Sequence, residues 1–530
     1  MGWLTAVTFA PLAGAIVLVA LPGRAANLHR MWTLAVTLVT FALSLGMLNA
    51  YAPGTTGFQL VERATWVRSL HFQYVLGVDG ISLWLVLLTT FLMPAAILVS
   101  WRIDRQVKYY LVAFLVLETA MIGSFLALDL LLFFVFFEFL LFPMYLIIGG
   151  WGSERRVYAA IKFFLYTMAG SAFLLAAILF LYAKAGSALG TPTFDVTQLQ
   201  GVALSTTAAR WLFLAFFVAF AVKVPLFPLH TWLPDAHTEA PTARSVILAA
   251  ILLKIGAYGL IRFNLSLFPE ASVYFQTFVS VLALIGIVYG AVVALMQTDV
   301  KRLVAYSSVS HLGFVILGVF AFTVEGVSGG VLQMVNHGLS TGALFLLVGM
   351  IYDRTHTRDL GKMGGLASVM PVLAGVYLFV SLSSVGLPGL NGFVGEFLVL
   401  LGTFDVNRVY AVVAVTALVL AAVYLLWSYQ RMMQGPLGNP AHASLPDLSG
   451  REGTILVPIL AAILLIGVFP RTLLSNIEPA ASNTAACMER AGSQAPLSDA
   501  AKRAFVRLPA GVVCAAPAPS AASLSSAGSP

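Results

Sequence analysis

Cysteine and charge are both scarce in this chain. Only Cys487 and Cys514 occur among 530 residues, and both lie near its C-terminal end. There is no CxxC and no four-ligand set, which argues against an iron–sulfur cluster or a structural zinc site. No GxGxxG follows a strand and there is no phosphate-binding loop, so neither kind of nucleotide site is expected. Charged residues make up 10% of the chain, against about 25% in a soluble domain. Such a chain cannot solvate its own surface. The net charge is +7, but the 29 basic residues are spread thinly between apolar runs and form no basic patch. Nucleic acid is therefore not expected as a partner.

What the chain has is apolar length. Sixty per cent of its residues are hydrophobic, and lipid must serve as part of its solvent. The N-terminal run Leu4–Leu21 reads as a retained first helix, since no cleavage site followed by a soluble domain comes after it. At about 20 residues per crossing, the predicted spans are 3–22, 31–51, 80–101, 108–128, 130–150, 158–183, 209–228, 243–264, 273–297, 303–323, 329–351, 371–402, 408–431 and 454–473. The twelfth is too long for one straight crossing and contains GLPGLNG at 386–392, so it reads as one broken helix.

Lysine and arginine orient these spans. Fifteen lie in odd-numbered loops, including Arg102, Arg244, Lys301, Arg358 and Lys362, against six in even-numbered loops. The odd loops are therefore expected in the cytoplasm and both termini on the periplasmic face. On this count only Lys162, Lys223 and Lys254 fall inside spans. Lys162 lies one turn into its helix and reads as an interfacial anchor.

Lys223 and Lys254 have no such escape. A lysine at mid-membrane costs about 2.5–3.5 kcal/mol, and such residues usually mark an ion path, the plainer alternative being a fixed ion pair. Glu138, in LLLFFVFFEFLLFPMYL, and Glu396, in VGEFLVLLG, are the acidic counterparts. Glu118 reads equally as structural or proton-carrying, and Asp129 as a helix cap. His230, His311 and His337 add imidazoles, a group whose unperturbed pKa of about 6.5 suits proton relay. Their plainer reading is a hydrogen-bonded core imidazole. No second ligand stands at i+3 or i+4 to His311 or His337, so a metal site is not expected. His237 reads either way.

Pro225 and Pro228 follow Lys223 in AVKVPLFPLHTWLPDAHTEAPT. They remove backbone donors and break the seventh helix. Opened helix inside a bilayer is tolerated where protein or water surrounds it, which suits an ion-carrying lysine. Pro388 breaks the twelfth helix in the same way, near Glu396. Helices 4–8 and 9–13 are then two five-helix sets, each with its fourth helix broken. Because five is odd, the second set is inverted relative to the first, as in transporters. The expected fold is thus an all-α polytopic membrane protein of 14 transmembrane helices. It contains two inverted five-helix repeats, with helices 7 and 12 broken. Its parts are 1–107 (helices 1–3), 108–264 (first repeat), 273–431 (second repeat), 432–473 (last helix) and 474–530, a low-complexity periplasmic tail in which Cys487 and Cys514 could pair.

HTWLPDAHTEAPT at 230–242, with a lysine seven residues upstream, resembles the core of the antiporter-like membrane subunits of respiratory complex I. Multisubunit monovalent cation/proton antiporters share this motif. The resemblance covers residues 1–473. Most relatives carry lysine in the broken twelfth helix; Glu396 here, and VFFEFLLFPMYLIIGGWG at 135–152, resemble one branch of the complex I subunits. The chain also stops after helix 14 without the long lateral helix of another branch.

The resemblance implies a bacterial inner-membrane subunit that pumps protons in NADH:quinone oxidoreductase. Its partners would be other membrane subunits of that complex, including homologous antiporter-like ones, together with membrane lipid. FMN, iron–sulfur clusters and quinone would belong to partner subunits, with no cofactor in this chain. Glu138 and Lys223 would be a gating ion pair, Lys254 the central relay, His311 and His337 the connecting path, and Glu396 the terminal exchange site. The alternatives are a cation/proton antiporter subunit using the same residues, and a non-pumping structural subunit.

Overall fold

The computed structural model describes residues 2–494, apart from Arg24. Helices α1 (Trp3–Ala20) and α2 (Ala26–Ala50) precede a β-hairpin of β1 (Gln59–Val67) and β2 (Phe72–Val78). Next come α3 (Gly80–Val99), α4 (Val107–Leu126), α5 (Leu130–Phe139), α6 (Leu141–Trp151), α7 (Arg156–Leu189), the short α8 (Val196–Leu199) and α9 (Thr206–Lys223). Beyond a non-helical stretch lie α10 (Trp232–Glu239), α11 (Thr242–Ile247), α12 (Leu253–Gly259) and α13 (Pro269–Tyr274). The second half holds α14 (Gln276–Leu295), α15 (Val300–Val319), α16 (Val324–Thr355), α17 (Pro371–Val385), α18 (Asn391–Val406), α19 (Arg408–Met433), α20 (Gly450–Val468) and α21 (Arg471–Gln494).

Among the described residues, 13 helices are long and apolar enough to cross a membrane. The expected twelfth span is not one of them, because it is divided into α17 and α18 by a non-helical stretch at 386–390. Gly386 there has φ +85°, a left-handed conformation that only glycine adopts cheaply. It ends α17 one residue after Val385 and lets α18 restart at Asn391. In the first half α9 stops at Lys223, and residues 224–231 are non-helical before α10 begins. Both breaks lie where the prolines predicted them.

Three features differ from the sequence expectations. The first is the hairpin, an element outside an all-helical reading. Its strands pair antiparallel with Ala64 opposite Tyr74 and Val67 opposite Phe72, and Trp66 stacks on Phe72 at 5.0 Å. Aromatic and β-branched residues suit such cross-strand pairs.

The second is the tail. Residues 474–494 belong to α21, not to structureless low complexity. Leu473, Ile477, Ala480, Ala481, Met488 and Ala491 are buried along it, and it packs on α3, α13 and α16. Apolar and alanine residues at helical spacing account for this. Cys514, the expected partner of Cys487, lies outside the described residues with the rest of 495–530.

The third is charge. Arg244 and Lys301, counted above as loop residues, are buried in the first turns of α11 and α15. Lys162 is also more than an anchor, since its ammonium pairs with Asp235 of α10 at 2.7 Å.

Candidate functional site

The helix that carries Lys254 is not a uniform α-helix. Between α11 and α12, residues Leu248–Leu252 form a π-helical turn. A π turn widens the helix and re-aims a carbonyl, a device frequent at functional sites. Here the Lys254 ammonium folds back to donate to the carbonyl of Ala249. Its second partner is His337 Nδ1 on α16, at 2.6 Å. Lys254 is completely buried, so these two acceptors replace the water it gave up on insertion.

From His337 the polar line continues sideways. The His337 and His311 rings lie 5.8 Å apart, edge to face. His311 Nδ1 meets Glu396 Oε1 at 2.8 Å, and the pair is buried on both sides. Gln333 Nε2 donates to the same oxygen at 2.9 Å. Lys254, His337, His311 and Glu396 therefore form one buried row drawn from α12, α16, α15 and α18. The row ends at the second break, where a Cβ on Gly386 would sit 3.1 Å from Glu396 Oε2. The Nε2 atoms of His311 and His337 have no hydrogen-bond partner among the described residues.

The break beside Glu396 is held by a second network. Ser383 Oγ donates to Asn391 Oδ1 at 2.6 Å, and Ser340 bonds to Ser383 at 2.7 Å. Asn336 Nδ2 donates to the carbonyl of Asn391 at 2.7 Å. These side chains satisfy backbone groups that the missing turn leaves open. Gln333, Asn336, Ser340, Ser383 and Asn391 were not singled out from sequence. The signal for most of them was an amide or hydroxyl side chain inside an apolar span, LQMVNHGLSTG.

Glu138 and Lys223 face each other without closing. Among the described residues neither forms a salt bridge, and Lys223 Nζ has no hydrogen-bond partner. The ammonium instead lies 4.6 Å above the ring centroid of Phe137, the residue preceding Glu138. A cation over an aromatic face is stabilised by roughly 2 kcal/mol or more when desolvated, which partly replaces an ion pair. The predicted contact pair is thus an open pair in this structure.

The end of α9 also lies directly against α12. A Cβ on Gly256 would come within 2.7 Å of the Phe220 carbonyl oxygen and 2.8 Å of the Val224 nitrogen. Only a glycine lets the Lys223 turn approach this close to Lys254's helix.

The remaining candidates are placed elsewhere. His230 packs on Tyr289 at 5.1 Å and on Phe227 at 5.8 Å. It sits in the first break and not in the Lys254 row. His237 is fully buried and stacks on Phe345 at 4.4 Å. Glu118 is fully buried, and neither of its oxygens has a partner among the described residues. Asp129 caps α5 through the amides of Leu131 and Leu132, as expected. Burial raises its carboxyl to about 6, against the lowering effect of those amides. No group of three or more His, Cys, Asp or Glu side chains among the described residues is placed to hold a metal ion.

The family profile described as "NADH:quinone oxidoreductase/Mrp antiporter, TM" matches residues 127–421. The chain is 48% identical over 491 residues to NADH-quinone oxidoreductase subunit M of Rhodobacter capsulatus, covering 91% of this chain and 96% of that protein. It is 43% identical over 482 residues to NADH-ubiquinone oxidoreductase chain 4 of Arabidopsis thaliana, with 91% and 96% covered. Among solved structures, a chain of respiratory complex I from Thermus thermophilus with bound NADH superposes with a TM-score of 0.83. It is 35% identical, with 92% of this chain and 99% of that chain covered. A chain of the Mrp complex from Dietzia sp. DQ12-45-1b superposes with a TM-score of 0.82 at 23% identity, over 92% and 98%. That second likeness speaks for the fold alone.

Proposed function

The chain belongs to the NADH:quinone oxidoreductase/Mrp antiporter transmembrane family, and we propose that it carries protons along the buried row Lys254–His337–His311–Glu396 as a membrane subunit of an NADH:quinone oxidoreductase. The observation that carries this reading is the row itself. Four titratable side chains from four helices are buried in line, with contacts of 2.6 Å at one end and 2.8 Å at the other. Relatives named subunit M or chain 4, at 48% and 43% identity, favour the oxidoreductase over the antiporter. On this reading the chain does no redox chemistry. FMN, clusters and quinone reside in partner subunits, and quinone reduction there drives the charge changes here.

The steps follow from the contacts. The Lys254 ammonium can pass a proton to His337 Nδ1, leaving a neutral amine held by the Ala249 carbonyl. The unpartnered Nε2 atoms of His337 and His311 permit onward transfer through water. His311 Nδ1 then delivers to Glu396, whose second oxygen faces the break. Glu138 and Lys223 act upstream as one unit, whose closing or separation changes the charge beside Lys254's helix. Pro225, Pro228 and Pro388 supply the openings.

Glu396 offers a first test. Glu396→Lys is expected to keep part of the pumping and Glu396→Ala to keep less. A lysine there can still carry a proton, provided that Gln333 turns its amide and His311 stays neutral. Acidification of vesicles driven by NADH, normalised to assembled complex, reads the order. Equal and complete loss in both would mean that His311 and Gln333 fix the sign of the charge.

Orientation offers a second test. A bacterial relative supports a bacterial inner-membrane placement, and the excess of lysine and arginine on one side supports an orientation with Arg358 and Lys362 in the cytoplasm and α21 in the periplasm. In a chain with Cys487 and Cys514 changed to serine, a cysteine at exposed Ser493 should react with a thiol reagent confined to the periplasm. Labelling at position 358 instead would invert the topology.

A further inference from the structure

The short helix α10 lies between the Lys223 break and the second half of the molecule, and its carbonyls are capped from several directions. The last four carbonyls of any helix lack partners within it. In α10 each one is met by a different group. Arg244 Nη1 donates to Ala236 O at 2.9 Å, and Ser245 Oγ donates to His237 O at 3.2 Å. Arg358 Nη1 donates to Thr238 O at 2.5 Å, and the Ser153 amide donates to Glu239 O at 2.8 Å. Lys301 Nζ donates to the next carbonyl, that of Ala240, at 2.5 Å. Three of these five donors are cations gathered at the negative end of one helix, where each is most favourable. Asp235 in the first turn binds two more, Lys162 at 2.7 Å and Arg302 at 3.5 Å.

The other end of α10 touches the break. Trp232 is buried, and its indole Nε1 donates to the carbonyl of Val222 at 2.9 Å. Val222 precedes Lys223, and its carbonyl is one that the end of α9 leaves open. About two turns of helix thus link the backbone beside Lys223 to Lys301, Arg302 and Arg358. All three of those cations belong to α15 or to the segment after α16, across from the half that carries Lys223. Capping α10 alone would not require partners from the opposite half, since Ser153, Arg244 and Ser245 come from the half that carries it.

We propose that α10 is a strut that sets the position of the Lys223 ammonium, with Lys301 and Arg358 as positioning residues through which the second half controls the first. This rests on Lys223 being a proton-carrying group, as proposed above. Neither Lys301 nor Arg358 touches the proton path. Each acts through a carbonyl of α10, and α10 acts through Trp232 on the turn that ends in Lys223. Movement of α15, which also carries His311, would then shift Lys223 with it.

The test uses whole complexes reconstituted in vesicles and reads protons released per NADH oxidised. Lys301→Gln and Arg358→Gln should each lower that ratio about tenfold or more, the scale of one lost charged hydrogen bond, while NADH oxidation continues. Lys301→Arg, which keeps the charge and the donor, should restore it. Arg358 is only partly buried, so Arg358→Gln decides alone if Lys301→Gln does not assemble. A normal ratio in the glutamine variants, or a loss that Lys301→Arg does not reverse, overturns the strut. Lys254→Ala in the same series separates this from the broader reading. If Lys254→Ala pumps normally, the proton row itself fails. If Lys254→Ala is inactive while Lys301→Gln and Arg358→Gln pump normally, the strut fails alone.

Discussion

Replacing Lys254 by alanine is expected to lower NADH-driven proton pumping about tenfold or more in complexes that still assemble. The argument begins with burial. Lys254 has no exposed surface, and its ammonium is held by the Ala249 carbonyl and His337 Nδ1. Removing it deletes the only cation in the row and leaves His337 Nδ1 without its partner. The unmet buried groups cost about 1–3 kcal/mol each, too little to unfold a helix enclosed by neighbours on every side. Lys254→Met separates charge from volume, because the thioether fills most of the space without a proton site. Both variants should lose pumping alike, read as vesicle acidification normalised to assembled complex. Normal pumping with methionine would reduce Lys254 to a packing residue.

The second large effect concerns Glu138 and Lys223. Glu138→Gln and Lys223→Ala are each expected to abolish most pumping, and the double variant should be little worse than either, since two members of one unit fail together. The structure holds this pair open, with the ammonium over Phe137. An open pair strengthens the argument for a moving part. Lys223 is buried with no hydrogen-bond partner, and an uncompensated buried charge costs about 3–5 kcal/mol. The ring of Phe137 offsets only part of that cost, so closure onto Glu138 remains favourable. The same vesicle assay decides: near-normal pumping with Glu138→Gln would leave Glu138 a helix-packing carboxylate, and additive losses would mean two separate sites.

Much of this was legible because a bilayer makes charge conspicuous. Glu138, Lys223, Lys254 and Glu396 stand out in apolar runs, since each costs free energy that packing cannot repay. The breaks were legible because proline removes a donor wherever it falls. What escaped the sequence was what depends on neighbours. The π turn before Lys254 follows from no residue type at 248–252, and only the tertiary setting selects it. Arg244 and Lys301 looked like loop cations because they stand in the first turns of their helices. Their burial follows from α10 folding over them, which the primary pattern does not encode. Residues 474–494 were misjudged because alanine and serine read as low complexity, although alanine at helical spacing also builds a packing face. Gln333 was passed over because an amide in an apolar span is a weaker signal than a charge, yet it donates directly to Glu396.

The row's single narrow point is His337, which alone joins the lysine of α12 to the histidine of α15. The most direct measurement is therefore the number of protons released per NADH oxidised by reconstituted complexes carrying His337→Ala. Loss of the imidazole leaves Lys254 and His311 with no titratable group between them, and the ratio should fall sharply while NADH oxidation persists. An unaltered ratio in assembled His337→Ala complexes would contradict a proton path through this row.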